Sequence, residues 1–277
     1  MRREYLFAIT LLGLLTAHAG EAKAAPQLLP ESQTSKGGAD INWLSTKGAG
    51  STFALVPFVQ YELTSKIYLK AQVPIAININ GPYDKDYAGF GNPTLAVHYA
   101  ATSGKFSGYI GGRIGIPLAT VHSSGWQQAV ALGNYATAEY DLHLWLPKYL
   151  PVGAYGGVEY LALPFVMLRG ELAPQLIIPI EDTQYRGVKT RFVYTGRVEV
   201  EARADCGFGG GAAFQWWGNP SGFGDAIAQN AAEGFASYDD GELFGRLGLL
   251  VALDKPDGFG FDKGKVATLH GRIGGRF

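Results

Sequence analysis

Residues 191–205 read RFVYTGRVEVEARAD, and the two interleaved halves of that run have almost nothing in common. The odd positions, Arg191, Val193, Thr195, Arg197, Glu199, Glu201, Arg203 and Asp205, are charged at six of eight places. The even positions, Phe192, Tyr194, Gly196, Val198, Val200, Ala202 and Ala204, carry no charge. Successive side chains of a strand point to opposite faces, so a strand sorts this run into an ionic face and an apolar face, whereas a helix would mix them. Residues 67–79 repeat the device. Ile67, Leu69, Ala71, Val73, Ile75, Ile77 and Ile79 share one side; Tyr68, Lys70, Gln72, Pro74, Ala76 and Asn78 share the other. Such runs are about twice the ~5–6 residues of an ordinary strand. They are long enough to cross a bilayer at a tilt, for which ~9–11 residues suffice.

Alternation over 53–63, 95–101, 106–118, 140–146, 152–160, 166–180, 206–216, 243–253 and 265–277 brings the number of runs to eleven. A short twelfth lies at 40–45 (DINWLS). A bacterial barrel with both ends on one side of the membrane needs an even number. The sequence therefore predicts an all-β chain: a single transmembrane antiparallel up-and-down β-barrel of about twelve strands over residues 39–277. On this count the connections 80–90, 121–137 and 254–264 fall on the outer side, where long loops belong. Those at 181–190 and 218–237 fall on the inner side, where turns should be short. Residues 224–236 (GDAIAQNAAEGFA) read as a short helix at the rim or a plug. Alternation alone also fits a soluble β-protein with its charges in water.

The segments before the barrel differ in kind. Arg2 and Arg3 precede a 13-residue apolar run, and small-x-small sites follow at 17–19 and 22–24, which reads as a secretory signal peptide over 1–24. Residues 25–38 (APQLLPESQTSKGG) read as a flexible periplasmic leader. No later stretch reaches 18 uninterrupted apolar residues; the closest, 161–180, contains Pro164, Arg169, Glu171, Pro174 and Pro179. A formal net charge of −1 argues against a nucleic-acid partner held by a basic surface, and a single cysteine, Cys206, against a disulfide framework or a Cys-rich zinc site. Cys206 itself falls on the apolar face.

If the barrel spans a membrane, its polar face lines a lumen. Lys70, Lys105, Arg113, Glu139, Asp141, His143, Glu159, Arg169, Glu171, Arg191, Arg197, Glu199, Glu201, Arg203, Arg246, His270, Arg272 and Arg276 share that face. Ten lysines and arginines against six acids predict a modest preference for anions. Trp43, Trp126, Trp145, Trp216 and Trp217 lie near strand ends, as in an interfacial girdle, with core packing as the alternative. His122 and Ser123 open an outer loop, where an activated hydroxyl could serve ester hydrolysis, but no Gly-x-Ser-x-Gly occurs. Neither a resident metal nor a cofactor is expected.

The chain ends GRIGGRF, with Phe277 in phase with the apolar face of its run. This segment resembles the closing strand of Gram-negative outer-membrane β-barrels, whose last residue is typically Phe. Gly271 and Gly275 stand where larger apolar residues are common in that group. The resemblance implies export, placement in the outer membrane, and Phe277 as an assembly signal read by the barrel-assembly machinery. A second resemblance rests on Tyr87–Pro93 (YAGFGNP). It is similar to the Gly-x-Gly-Asp segment of the phenol-degradation MetA-pathway and hydrocarbon-uptake channels, with Asn92 in place of Asp. That likeness implies passage of small apolar or aromatic compounds. The expected function is an outer-membrane channel or uptake porin for small solutes, not an enzyme. A barrel enzyme acting on lipids and a non-transporting structural barrel are the alternatives.

Overall fold

The computed structural model describes residues 30–46, 50–81, 85–119, 124–138, 140–180, 189–223, 226–254 and 267–277. Its strands are β1 (Lys36–Thr46), β2 (Gly50–Thr64), β3 (Ile67–Gln72), β4 (Ile75–Gly81), β5 (Lys85–Phe90), β6 (Thr94–Ser103) and β7 (Phe106–Gly115). They continue as β8 (Tyr149–Leu163), β9 (Val166–Pro179), β10 (Arg191–Arg203), β11 (Phe208–Phe223), β12 (Ala226–Asp239), β13 (Leu243–Ala252) and β14 (Ala267–Arg276). All belong to one antiparallel sheet, and β1 pairs with both β14 and β2, which closes it.

Two staves of this barrel are broken. β3 pairs with Phe58–Thr64 of β2, and β4 with Ser51–Leu55 of the same strand. Beyond them β6 continues the pairing from β3, and β5 from β4. β3 with β4 is thus one stave, and β5 with β6 another, so the wall has twelve. The breaks fall at Val73–Pro74 and at Gly91–Asn92–Pro93. Proline has no N–H for a ladder, so an interrupted stave is where it fits.

The expected number of strands is correct, but one expected strand is absent and one observed strand was not expected. Residues 140–146 are not a strand: they hold a short helix, Leu142–Trp145. Residues 224–236 are not a rim helix or plug: Ala226–Asp239 is β12, paired along its length with β11 and β13. Ala, Gln and Glu in that run are good helix formers, and partners on both flanks override the preference. Exchanging the two also removes the long inner connections. Turns 65–66, 104–105, 164–165, 204–207 and 240–242 lie at one end of the barrel; the strand ends at 115 and 149, 179 and 191, and 252 and 267 lie at the other.

The faces sort as a lipid-facing wall requires. Ile67, Leu69, Ile77, Ile110, Leu172, Val198 and Val200 are exposed on the outside, while the charges of β10 turn inward, where Glu199 and Arg203 are largely enclosed. A soluble arrangement would reverse the two. Across β10 and β11 the Trp216 ring covers Gly196 and the Tyr194 ring covers Gly218, so any side chain at either glycine would collide with an aromatic ring. Trp43 also faces outward, stacked on Phe53 at 6.4 Å. Trp217 and Trp145 do not join a girdle: both are buried inside the barrel. Ile110, 67% exposed in the middle of β7, gives a direct test of the lipid face. Ile110→Lys should destabilise the barrel in phospholipid vesicles by about 2–4 kcal/mol. A urea titration there reads the loss; an unchanged midpoint would place this face in water.

Between β7 and β8, residues 124–138 and 140–148 fold into the barrel and fill its upper interior. Its helices are α1 (Ser124–Ala136) and α2 (Leu142–Trp145). Ala129, Val130, Leu144 and Trp145 pack on Leu44, Ala54, Val56 and Ala76 of β1, β2 and β4. On the opposite side Leu142 and Leu146 pack on Ile177, Val193 and Trp217 of β9, β10 and β11. The connection therefore bridges the lumen from wall to wall as a plug. Residues 30–38, expected as part of a flexible leader, are also built into the barrel. Glu31–Gln33 forms a 3-10 turn inside it, and β1 begins at Lys36.

An ionic ring beneath an internal plug

The inward positions of β8, β9, β10, β12, β13, β14 and β1 carry a network of ion pairs. Arg169 holds Glu199 at 2.8 Å, Glu201 at 2.6 Å and Glu159 at 3.5 Å. Arg197 holds Glu199 at 2.9 Å and Glu233 at 2.7 Å, and Arg246 spans the same two carboxylates at 2.6 and 2.7 Å. Arg203 joins Glu201 to Asp239, and Arg276 also binds Asp239. From Glu233 the chain of contacts runs through His270, at 2.9 Å, to Asp40, then Arg272, then Glu31.

Glu31 closes the circuit. Its backbone N–H donates to Glu159 at 2.9 Å, and the Ser32 hydroxyl donates to the other oxygen of that carboxylate at 2.7 Å. Lys36, at 3.1 Å, holds the Glu31 carboxyl well below the usual carboxylate range. The network thus closes on itself through the 31–33 turn, along the side of the lumen formed by β8–β14 and β1. Period-2 alternation puts these groups on one face, and antiparallel register sets them beside their partners: Glu199 faces Arg169 across β9–β10, and Asp40 faces Arg272 across β1–β14.

Above the ring and below the plug lies a cavity of about 250 Å3. Lys70, Arg113, Asp141, His143 and Glu171 line it, together with Tyr109, Tyr140, Tyr155 and His98. The tyrosine hydroxyls are committed: Tyr109 donates to Glu171 at 2.5 Å, Tyr140 to the same carboxylate at 3.4 Å, and Tyr155 meets His98 Nδ1 at 2.9 Å. His143 on α2 is buried with both ring nitrogens unpartnered. Burial pushes its imidazole well below its ordinary value, so the ring is neutral.

The sequence-derived lumen set is thereby largely gathered in one place. Glu159, Arg169, Arg197, Glu199, Glu201, Arg203, Arg246, His270, Arg272 and Arg276 are in the ring, and Lys70, Arg113, Asp141, His143 and Glu171 face the cavity. Arg191 is on the inward face at the start of β10. Lys105 departs from the expectation: it sits exposed in the two-residue turn between β6 and β7. Cys206 also departs, being exposed in the turn after β10 instead of on an apolar wall face. Glu139, His122 and Ser123 lie outside the described residues, as does the segment 1–24. Phe277 follows β14 with its side chain 71% exposed on the outward side, and its N–H donates to the Ser35 carbonyl.

Five ring members escaped the sequence reading: Glu31, Lys36, Asp40, Glu233 and Asp239. Their inclusion changes the electrostatics. With them the ring holds seven lysines and arginines against seven acids, so its pairing, not its net charge, sets the local field.

No family model matches the chain, and no curated protein matches it in sequence. Solved structures do match in fold. An outer membrane channel from Pseudomonas putida F1 superposes with a TM-score of 0.61 over 91% of this chain and 97% of its own, at 13% identity. The NanC porin does so with a TM-score of 0.55 over 86% of this chain and 98% of its own, at 9% identity. The resemblance to outer-membrane β-barrels thus holds at the level of fold.

Proposed function

We propose that this chain is an outer-membrane channel that admits small solutes by diffusion rather than transforming them. The observation that carries this reading is a closed barrel with an apolar exterior and, between plug and ionic ring, an internal cavity about large enough for one small organic molecule. Similarity in fold to an outer membrane channel and to a porin supports it. So does the YAGFGNP segment, which sits at the broken stave against the plug. On this reading residues 1–24 direct export and are removed. Phe277 serves as the assembly signal, and the lumen residues named above form the solute path.

The test begins with the producing cell. The protein should appear in the outer-membrane fraction and migrate differently on gels when boiled and unboiled. In planar bilayers the folded protein should give small, discrete conductance steps. Recovery in a soluble fraction, or an ion-tight barrel with no solute flux into liposomes, would overturn the reading. Loss of phospholipid or lipid A acyl chains that depends on His122 and Ser123 would replace it with an enzyme.

A further inference from the structure

We infer that the cavity between plug and ring is a binding site for a small aromatic carboxylate, held by Arg113 and Lys70 with its ring against the tyrosine wall. The inference rests on the channel reading and narrows it to a class of solute.

It begins from an inequality among the inward cations. Lys36, Arg169, Arg197, Arg203, Arg246, Arg272 and Arg276 each hold a carboxylate within 3.5 Å. Lys70 and Arg113 line the cavity and hold none among the described residues. Among the described residues the one polar partner of Arg113 is the Gln175 amide oxygen at 3.5 Å, and its Nε is buried without a partner there. Two cations with no carboxylate at ion-pair distance attract an anion placed between them, with Asp141 and Glu171 elsewhere on the same wall.

A second observation is independent of the first. His143, 3% exposed on the plug, lines the same cavity, and neither ring nitrogen is bonded among the described residues. A buried imidazole with two vacant hydrogen-bonding positions is a site lacking its partner. As a neutral ring it presents one donor, which suits a carboxylate oxygen.

The remaining wall selects the body of the ligand. His98, Tyr109 and Tyr155 stand with ring centroids 5.8–6.1 Å apart. With the tyrosine hydroxyls bonded to Glu171 and His98, what they offer a solute is ring face and edge. Two acids also face the cavity. Glu171 accepts from two tyrosine hydroxyls, and burial raises the Asp141 carboxyl above its ordinary range.

The test uses full-length protein folded in detergent, with heat-dependent gel mobility as the folding check, and benzoate, benzyl alcohol and benzylamine as probes. By titration calorimetry benzoate should bind about tenfold or more tighter than either neutral or cationic analogue. Arg113→Gln with Lys70→Gln should remove most of that preference, as the loss of two charged hydrogen bonds predicts. In bilayers benzoate should block the current in the parent and not in the double variant. Equal binding of the three probes, or benzoate binding unchanged in the folded variant, would overturn the inference while the conductance leaves the channel standing. Selective benzoate binding without any conductance or flux would keep the site and sink the channel.

Discussion

Alanine at position 233 should cost the barrel about 3–5 kcal/mol, the penalty for leaving buried charges without their partner. The Glu233 side chain is 1% exposed, yet it accepts from Arg197 at 2.7 Å, from Arg246 at 3.0 and 2.7 Å, and from His270 at 2.9 Å. No neighbouring acid can replace it for all three. Glu199 also serves Arg197 and Arg246, but already accepts from Arg169, and Asp40 lies 3.7 Å from His270 while binding Arg272. Glu233→Gln keeps the shape and one acceptor oxygen, so its loss should be smaller. Glu62→Ala, at an exposed carboxylate, should cost under about 1 kcal/mol. Urea titration of the three variants in vesicles gives the order. A Glu233→Ala midpoint no lower than that of Glu62→Ala would mean that the ring is solvated and carries little of the fold.

The same residue marks where sequence reasoning stopped. Strands with charges on one face, such as 191–203, were legible because burial and solvent select opposite residue types at alternate positions. β12 was not, because its outward positions run Ala228, Asn230, Ala232, Gly234, Ala236 and Tyr238, with only one large apolar side chain to contrast with the inward face. Its inward Glu233 and Asp239 therefore went unnoticed. The 140–146 run failed in the opposite sense. Its alternating leucines pack to two different walls of the lumen, Leu142 and Leu146 on the β9–β11 side and Leu144 on the β1–β4 side. A short helix bridging two apolar surfaces mimics a strand in pattern. Glu31 was lost to composition, since a Pro- and Ser-bearing segment looks unstructured until the lumen supplies Glu159 for its N–H groups. Long-range partners of this kind, 128 residues away in the chain, leave no local trace.

Asn92→Ala should leave the wall standing and loosen the plug. The side chain is 0% exposed at the break between β5 and β6, and it ties both ends of the inward connection to that point. Its amide donates to the carbonyls of Leu146 at 2.7 Å and His143 at 3.3 Å, and its oxygen accepts from the Ala119 N–H at 3.1 Å. Truncation leaves two carbonyls and one N–H buried without partners, each worth about 1–3 kcal/mol. The ladders of β4–β5 and β6–β7 do not involve this side chain, so the penalty falls on the seated plug. Protease cleavage within 116–148 should rise severalfold, and conductance should rise with it, while heat-dependent mobility stays. Asn92→Asp restores the acid found in the segment this region resembles, and here it should be at least as disruptive at neutral pH. A carboxylate can still accept from Ala119, but it turns negative charge toward two carbonyl oxygens. Acid should partly restore the seating, since the protonated group regains a donor for one of them. If neither variant alters protease sensitivity or current, apolar packing alone holds the plug, through Trp145 against the glycines at 91 and 133.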